Sequence, residues 1–226
     1  MDPEAAKTDA AVIARVCSAG GLIALSAVLE PLPHDFPAAV LILQHTSPEY
    51  DSHLAEILDQ RTALPVRAAT DGQPILAGQV FVAPSGRHLL VTPQRTLALI
   101  PSGRFPPSRP SADLLLTTLA MAIGPQVIAV VLTGGGQDGA TGATAVHHRG
   151  GLVLASDEAT SQYFAMPQAT INRDNAIDLV LPVDEIGRRL IELTSTSILE
   201  RSPSVPSMQP NPSDARLTVI SRAERA

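Results

Sequence analysis

Val127-Ile-Ala-Val-Val-Leu-Thr133-Gly-Gly-Gly-Gln137-Asp138-Gly139 is the stretch on which the fold turns. Val127 to Leu132 are all apolar and mostly β-branched, with no polar alternation. A strand buried on both faces reads this way, as in the middle of a parallel sheet. Three glycines follow at once and let the chain turn sharply at the strand's carboxyl end. Asp138 comes next, and then a helix-forming run from Ala140 to His148. Ligands bind at the carboxyl ends of strands in open α/β sheets, so an acid held there by a glycine loop is a candidate functional group. Asp138 is equally well placed to cap the next helix. This stretch alone leaves both readings open.

Working outward, strands and helices alternate. Ala11 to Cys17 reads as a first strand, interrupted by Arg15. Ser18-Ala-Gly20-Gly21 is a turn, and Leu22 to Leu29 a helix. Ala38 to His45 is a second strand and His53 to Gln60 has helical spacing, with Leu64 to Ala68 a short strand. Gln79 to Ala83, His88 to Val91 and Thr96 to Ile100 are short runs between turn residues, which suggests an antiparallel hairpin or three-stranded meander. Ser111 is a good N-cap for a helix running to Ile123. Gly151 to Ala155 and Ile177 to Leu181 are the last strands. Pro167 suits the first position of a short helix, and Asp184 to Thr194 is the last helix. The expected fold is α/β with a mostly parallel sheet. Residues 1–10 form a loose N-terminal segment and residues 11–196 one folded domain. Residues 197–226, rich in Ser, Pro, Asn and Arg, read as a disordered tail.

Composition narrows the function. Lys plus Arg number 16 and Asp plus Glu 22, a formal charge of −6 over 226 residues. With few aromatics and no basic run, this argues against nucleic acid. No apolar run reaches membrane-spanning length. The N-terminus lacks the pattern of a secretory signal. The single cysteine, Cys17, permits no internal disulfide. The expectation is a soluble, cytoplasmic protein.

Three polar groups then stand out. Ser18 follows the first strand, His45 ends the second, and Asp138 follows the central one. If these strands are parallel, all three share one sheet edge. A serine, a histidine and an acid there form a nucleophilic hydrolase constellation. The hydroxyl needs a base to remove its proton, and a neutral imidazole suits that role. The acid fixes the imidazole tautomer, and the neighbouring glycines let backbone N–H groups approach an oxyanion. Ser18 could instead be a helix N-cap and His45 a structural histidine. His34, His53, His88, His147 and His148 show no metal-ligand spacing with a cysteine or acid, so no metal and no cofactor is assigned. A phosphate cradle at Gly134–Gly136 lacks the Lys-Ser/Thr and the G-x-G-x-x-G that would support it. The order Ser, His, Asp is not that of the common serine hydrolases, and the Gly-x-Ser-x-Gly elbow is absent.

The same residues resemble the catalytic domain of the CheB-type chemotaxis methylesterase family. Ser18-Ala19-Gly20-Gly21 stands where that family has Ser-Thr-Gly-Gly, and Gln44-His45 matches its Gln-His. Thr133 to Ala140 fits its Thr-Gly-x-Gly-x-Asp-Gly-Ala throughout. Val82-Ala83-Pro84 with Gly86-Arg87-His88-Leu89, Arg109-Pro110-Ser111-Ala112-Asp113, and Asp157 to Ser161 with Met166-Pro167 are further matches. The resemblance covers about residues 11 to 194. It implies a three-layer α/β/α fold with a β-hairpin beside the active site, formed by the Gln79 to Ile100 region. It implies Ser18 as nucleophile, His45 as base and Asp138 as orienting acid, with Gly135 and Ala19 at the oxyanion and substrate site. It also implies hydrolysis of glutamate methyl esters, and deamidation of glutamines, on methylated chemoreceptors or related signalling proteins as partners.

Three positions depart from the family pattern. Val16-Cys17 replaces Gly-Ala, Ala19 replaces Thr, and Gly135 stands where Met is frequent. Losing one oxyanion donor costs on the order of 10²–10³ in rate. Only about ten residues precede the first strand, so a stand-alone catalytic domain without a receiver domain is expected. The alternative to an esterase is a weak or inactive methylesterase-like binding module in a signalling complex.

Overall fold

The computed structural model describes residues 10–103 and 108–195. The expected N-terminal segment and C-terminal tail lie almost entirely outside the described residues. The elements run β1 (Val12–Cys17), α1 (Gly21–Leu29), β2 (Ala39–Gln44), α2 (Leu54–Asp59), β3 (Val66–Ala68), β4 (Val80–Val82), β5 (Arg87–Val91), β6 (Leu97–Pro101), α3 (Ala112–Ile123), β7 (Val127–Val131), α4 (Ala140–His148), β8 (Leu152–Ser156), α5 (Ala165–Ile171), β9 (Leu179–Leu181) and α6 (Val183–Ser195). Seven strands form one sheet in the order β3-β4-β2-β1-β7-β8-β9. Every pairing in it is parallel.

β1 and β7 lie at the centre, and all five residues of β7 are buried. That is why the stretch lacks alternation: both faces are covered. On one face Val16, Val131 and Leu43 pack against Leu115, Leu119 and Ile123 of α3, Val146 of α4 and Met166 of α5. On the other, Ile13, Ile42 and Val130 pack against Leu25 and Val28 of α1, Leu58 of α2 and Ile186 and Leu190 of α6. The result is the expected α/β/α sandwich.

Three local expectations change. Gln79 to Ala83 does not join a meander: Val80–Val82 enters the main sheet, parallel to both β2 and β3. Only β5 and β6 form the antiparallel hairpin. Pro167 is the third residue of its helix, not the first. Arg15 does not interrupt β1, which runs straight through it between Ile42 and Val130. Its side chain is fully buried, and none of its three guanidinium nitrogens has a hydrogen-bond partner among the described residues. Burial pushes the guanidinium down to about 9.

Candidate active site

Ser18 and His45 leave the carboxyl ends of two neighbouring strands. β1 and β2 pair with Cys17 opposite Gln44, and the His45 amide donates to the Cys17 carbonyl at 3.0 Å. Ser18 and His45 are the next position on each strand, so their backbones lie about 5 Å apart. The Ser18 amide donates to the Thr133 carbonyl at 3.0 Å, tying the serine to the end of β7. Gly134 makes this closeness possible. A Cβ there would stand 2.8 Å from Ser18 Cβ and 2.3 Å from Met166 Sδ, so any side chain would push the loops apart.

Asp138 reaches His45 from the glycine loop. Its Oδ2 lies 2.8 Å from His45 Nε2. The same oxygen accepts from the Ala112 amide at 2.6 Å. Oδ1 accepts from the Asp113 amide and the Ser111 hydroxyl, each at 3.1 Å. Asp138 therefore does act as a helix cap, but on α3, about 25 residues back, rather than on the helix it precedes. Burial raises its pKa. The hydrogen bonds from His45 and from the Ala112 and Asp113 amides outweigh this, and the net shift is downward. The carboxylate stays ionised and holds the imidazole through Nε2. Nδ1 is the ring nitrogen left without a hydrogen-bond partner among the described residues.

Ser18 and His45 line two adjoining clefts. One, of about 510 Å³, continues over Ala19, Gly20, Gly21, Leu22, Ile23 and Gln44. The other, of about 410 Å³, is walled by Thr46, Ser47, Pro48, Ser108 and Arg109. No hydrogen bond joins the Ser18 hydroxyl to His45 among the described residues. Such bonds are often long without substrate and tighten in the complex. Cys17 offers no rival nucleophile, because it is fully buried and burial pushes its thiol up.

Backbone donors near the serine are few. The amides of His45 and Thr46 are taken, by Cys17 and by the Arg109 carbonyl at 3.0 Å, so neither serves an oxyanion. Gly134 donates to Tyr163 O at 2.9 Å. The amides of Ala19 and Gly135 have no partner among the described residues. Ala19 lines the first cleft. Gly135 is exposed and outside the lining of both clefts. The replaced residues fit their places: Val16 is buried beside Gly139, and Cys17 packs its sulfur against Gly21.

The structure also brings in residues whose part the sequence did not reveal. Asp113 Oδ1 accepts from the amides of Gly139 at 3.0 Å and Gly142 at 2.7 Å, clamping the start of α4. Burial, with the nearby Asp138 charge, raises its pKa against the lowering effect of those amides. His88, on the hairpin, accepts from the Ser111 amide at 2.9 Å through Nδ1. Thr133 Oγ1 lies 3.1 Å from Ala19 O and accepts from the Tyr163 amide at 2.8 Å, joining the serine turn to the loop after β8. Gly142, a glycine inside α4, sits against α3 beside Asp113. A Cβ there would meet Leu116 Cβ at 2.6 Å, so α3 and α4 touch at their first turns.

The sequence and fold have known counterparts. The sequence model of the CheB methylesterase family matches residues 13–190. The chain belongs to the CheB methylesterase family. It is 44% identical over 190 residues to a protein-glutamate methylesterase/protein-glutamine glutaminase 2 of Anaeromyxobacter dehalogenans, covering 84% of this chain and 54% of that protein. It is 39% identical over 181 residues to the protein-glutamate methylesterase FrzG of Myxococcus xanthus, covering 80% and 54%. The chain thus spans about half the length of the curated relatives it matches. The crystal structure of the Thermotoga maritima CheB methylesterase catalytic domain superposes with a TM-score of 0.77 at 35% identity, covering 81% of this chain and 98% of that one. The CheB-type fold is therefore the one that the motif resemblance implied.

Proposed function

We propose that this CheB-type chain is a serine esterase that hydrolyses methyl esters of protein glutamate side chains, and that it deamidates glutamines at the same site. The observation that carries the reading is the His45–Asp138 hydrogen bond, placed beside a serine at the carboxyl edge of adjacent parallel strands. His45 Nδ1 takes the Ser18 proton as Oγ attacks the ester carbonyl. The developing oxyanion is met by the Ala19 amide, which lines the first cleft, with the Gly135 amide as the second donor. His45 then returns the proton to the leaving methoxide and methanol departs. Water, deprotonated by His45, hydrolyses the acyl-enzyme. With glutamine, ammonia leaves instead.

The substrate is a methylated chemoreceptor or related signalling protein, as the resemblance to the chemotaxis methylesterases implies; the relatives' names themselves give only protein glutamate and glutamine side chains. Among the described residues no helix is long and apolar enough to cross a membrane, which suits a cytoplasmic enzyme working on a receptor's signalling region. The test is methanol release from methylated receptor fragments. Wild type is expected to release methanol, while Ser18→Ala and His45→Ala fall by several orders of magnitude. Release undiminished in Ser18→Ala would overturn the reading.

A further inference from the structure

Arg109 stands in the same cleft as Ser18 and His45, with no carboxylate partner among the described residues. Its backbone carbonyl holds the Thr46 amide at 3.0 Å, which fixes it beside the base. Nη1 donates to the Gly103 carbonyl at 2.9 Å. Nε is buried without a hydrogen-bond partner among the described residues. No described carboxylate pairs with it, and residues 104–107 contain no acid. The nearby polar walls, Thr46, Ser47 and Ser108, are neutral. A half-buried guanidinium left like this is incompletely satisfied, and its planar fork suits a carboxylate. The chain as a whole carries −6, so a cation with no carboxylate partner among the described residues, set beside the serine, is where an acidic group would gain.

We propose that Arg109 forms a carboxylate subsite, and that it binds an acidic side chain flanking the ester in the protein substrate. This rests on the esterase reading above. Leu22 and Ile23 belong to α1, which covers the sheet face opposite α3, so the bound segment crosses the serine with its acidic neighbour on the Arg109 side.

The test uses two methyl-glutamate peptides that differ only in having Glu or Gln beside the ester. The readout is the ratio of their kcat/KM values within each enzyme, which cancels differences in folding or general activity between variants. Wild type should favour the Glu peptide by about ten-fold at low salt, as a charge-assisted hydrogen bond predicts. That preference should shrink with added salt, fall to about one in Arg109→Gln, and survive in part in Arg109→Lys. Equal kcat/KM for both peptides in wild type, or an undiminished preference in Arg109→Gln, overturns the subsite and leaves the esterase standing. Hydrolysis of neither peptide overturns the esterase reading and the subsite with it.

Discussion

Asp138 and Asp113 exchange helix caps: each carboxylate holds the backbone at the start of the helix beside the other. Asp138 takes the amides of Ala112 and Asp113 at 2.6 and 3.1 Å. Asp113 takes those of Gly139 and Gly142 at 3.0 and 2.7 Å. The acid facing His45 is thus fixed by α3 whatever His45 does. Preorganisation of this kind keeps a base aligned at no cost during the reaction.

Asp138→Asn follows directly. Both carboxylate oxygens only accept, four hydrogen bonds in all. An amide NH₂ in either position faces a donor. If it faces His45, the tautomer needed for catalysis is lost. Activity should fall about 10⁴-fold, and stability by about 1–3 kcal/mol from the unsatisfied contact. Methanol-release kinetics and denaturant melts check both.

Asp113 separates charge from capping. Asn at this position still accepts from Gly139 and Gly142, while Ala does not. Asp113→Ala should cost about 1–2 kcal/mol and reduce kcat by loosening the glycine loop. Asp113→Asn should keep the cap and relieve the repulsion with Asp138. The pH dependence has a definite sign. The folded pKa of Asp113 is raised, so its stabilising share is present below its ordinary value of 3.8 and lost as pH rises through the folded value. That of Asp138 is depressed, so its share is present above the ordinary value and lost as pH falls through the folded one. The Tm of Asp113→Asn relative to wild type should therefore rise from pH 3 to 7. A flat difference would remove the repulsion argument.

Gly134 and Gly135 should respond in opposite ways. Gly134→Ala forces Ser18 and Met166 apart, so stability and esterase activity should both drop. Around Gly135 a Cβ meets nothing within 4 Å, and its φ lies outside the left-handed region. Gly135→Ala should stabilise by about 0.4–1 kcal/mol through the unfolded chain and leave its amide free to donate. Thermal melts on both variants decide this.

Arg15 is the least comfortable residue in the core. Replacing buried ionic groups by well-packed apolar side chains of similar volume is commonly neutral or stabilising by about 1–4 kcal/mol even where an ion pair is given up, and Arg15 has no hydrogen-bond partner to give up among the described residues. Arg15→Met should raise the denaturation midpoint. A fall of several kcal/mol would mean that the guanidinium is held by something essential.

Much of this was legible from residue pattern. An apolar run without alternation marked β7, and three polar groups at strand ends shared an edge because parallel strands all finish on the same side. Gln79 to Ala83 was not separable from its hairpin neighbours. A short apolar run between turns looks the same in either sheet, and its partner, β2, lies some 40 residues earlier. Arg15 read as a break because burial depends on Ile42 and Val130 beside it. The role of Asp113 was hidden for the same reason: its ligands are amides about 25 residues on, brought near only by the packing of α3 on α4.

The most direct test of the central claim is labelling with a serine-reactive fluorophosphonate, with wild type beside Ser18→Ala and His45→Ala. The account predicts stoichiometric labelling of wild type and none of either variant, which would show a serine activated by His45. Folded wild type that does not label would contradict it and point to a binding module on the same fold, and His45→Ala that labels as fast as wild type would contradict the role given to His45.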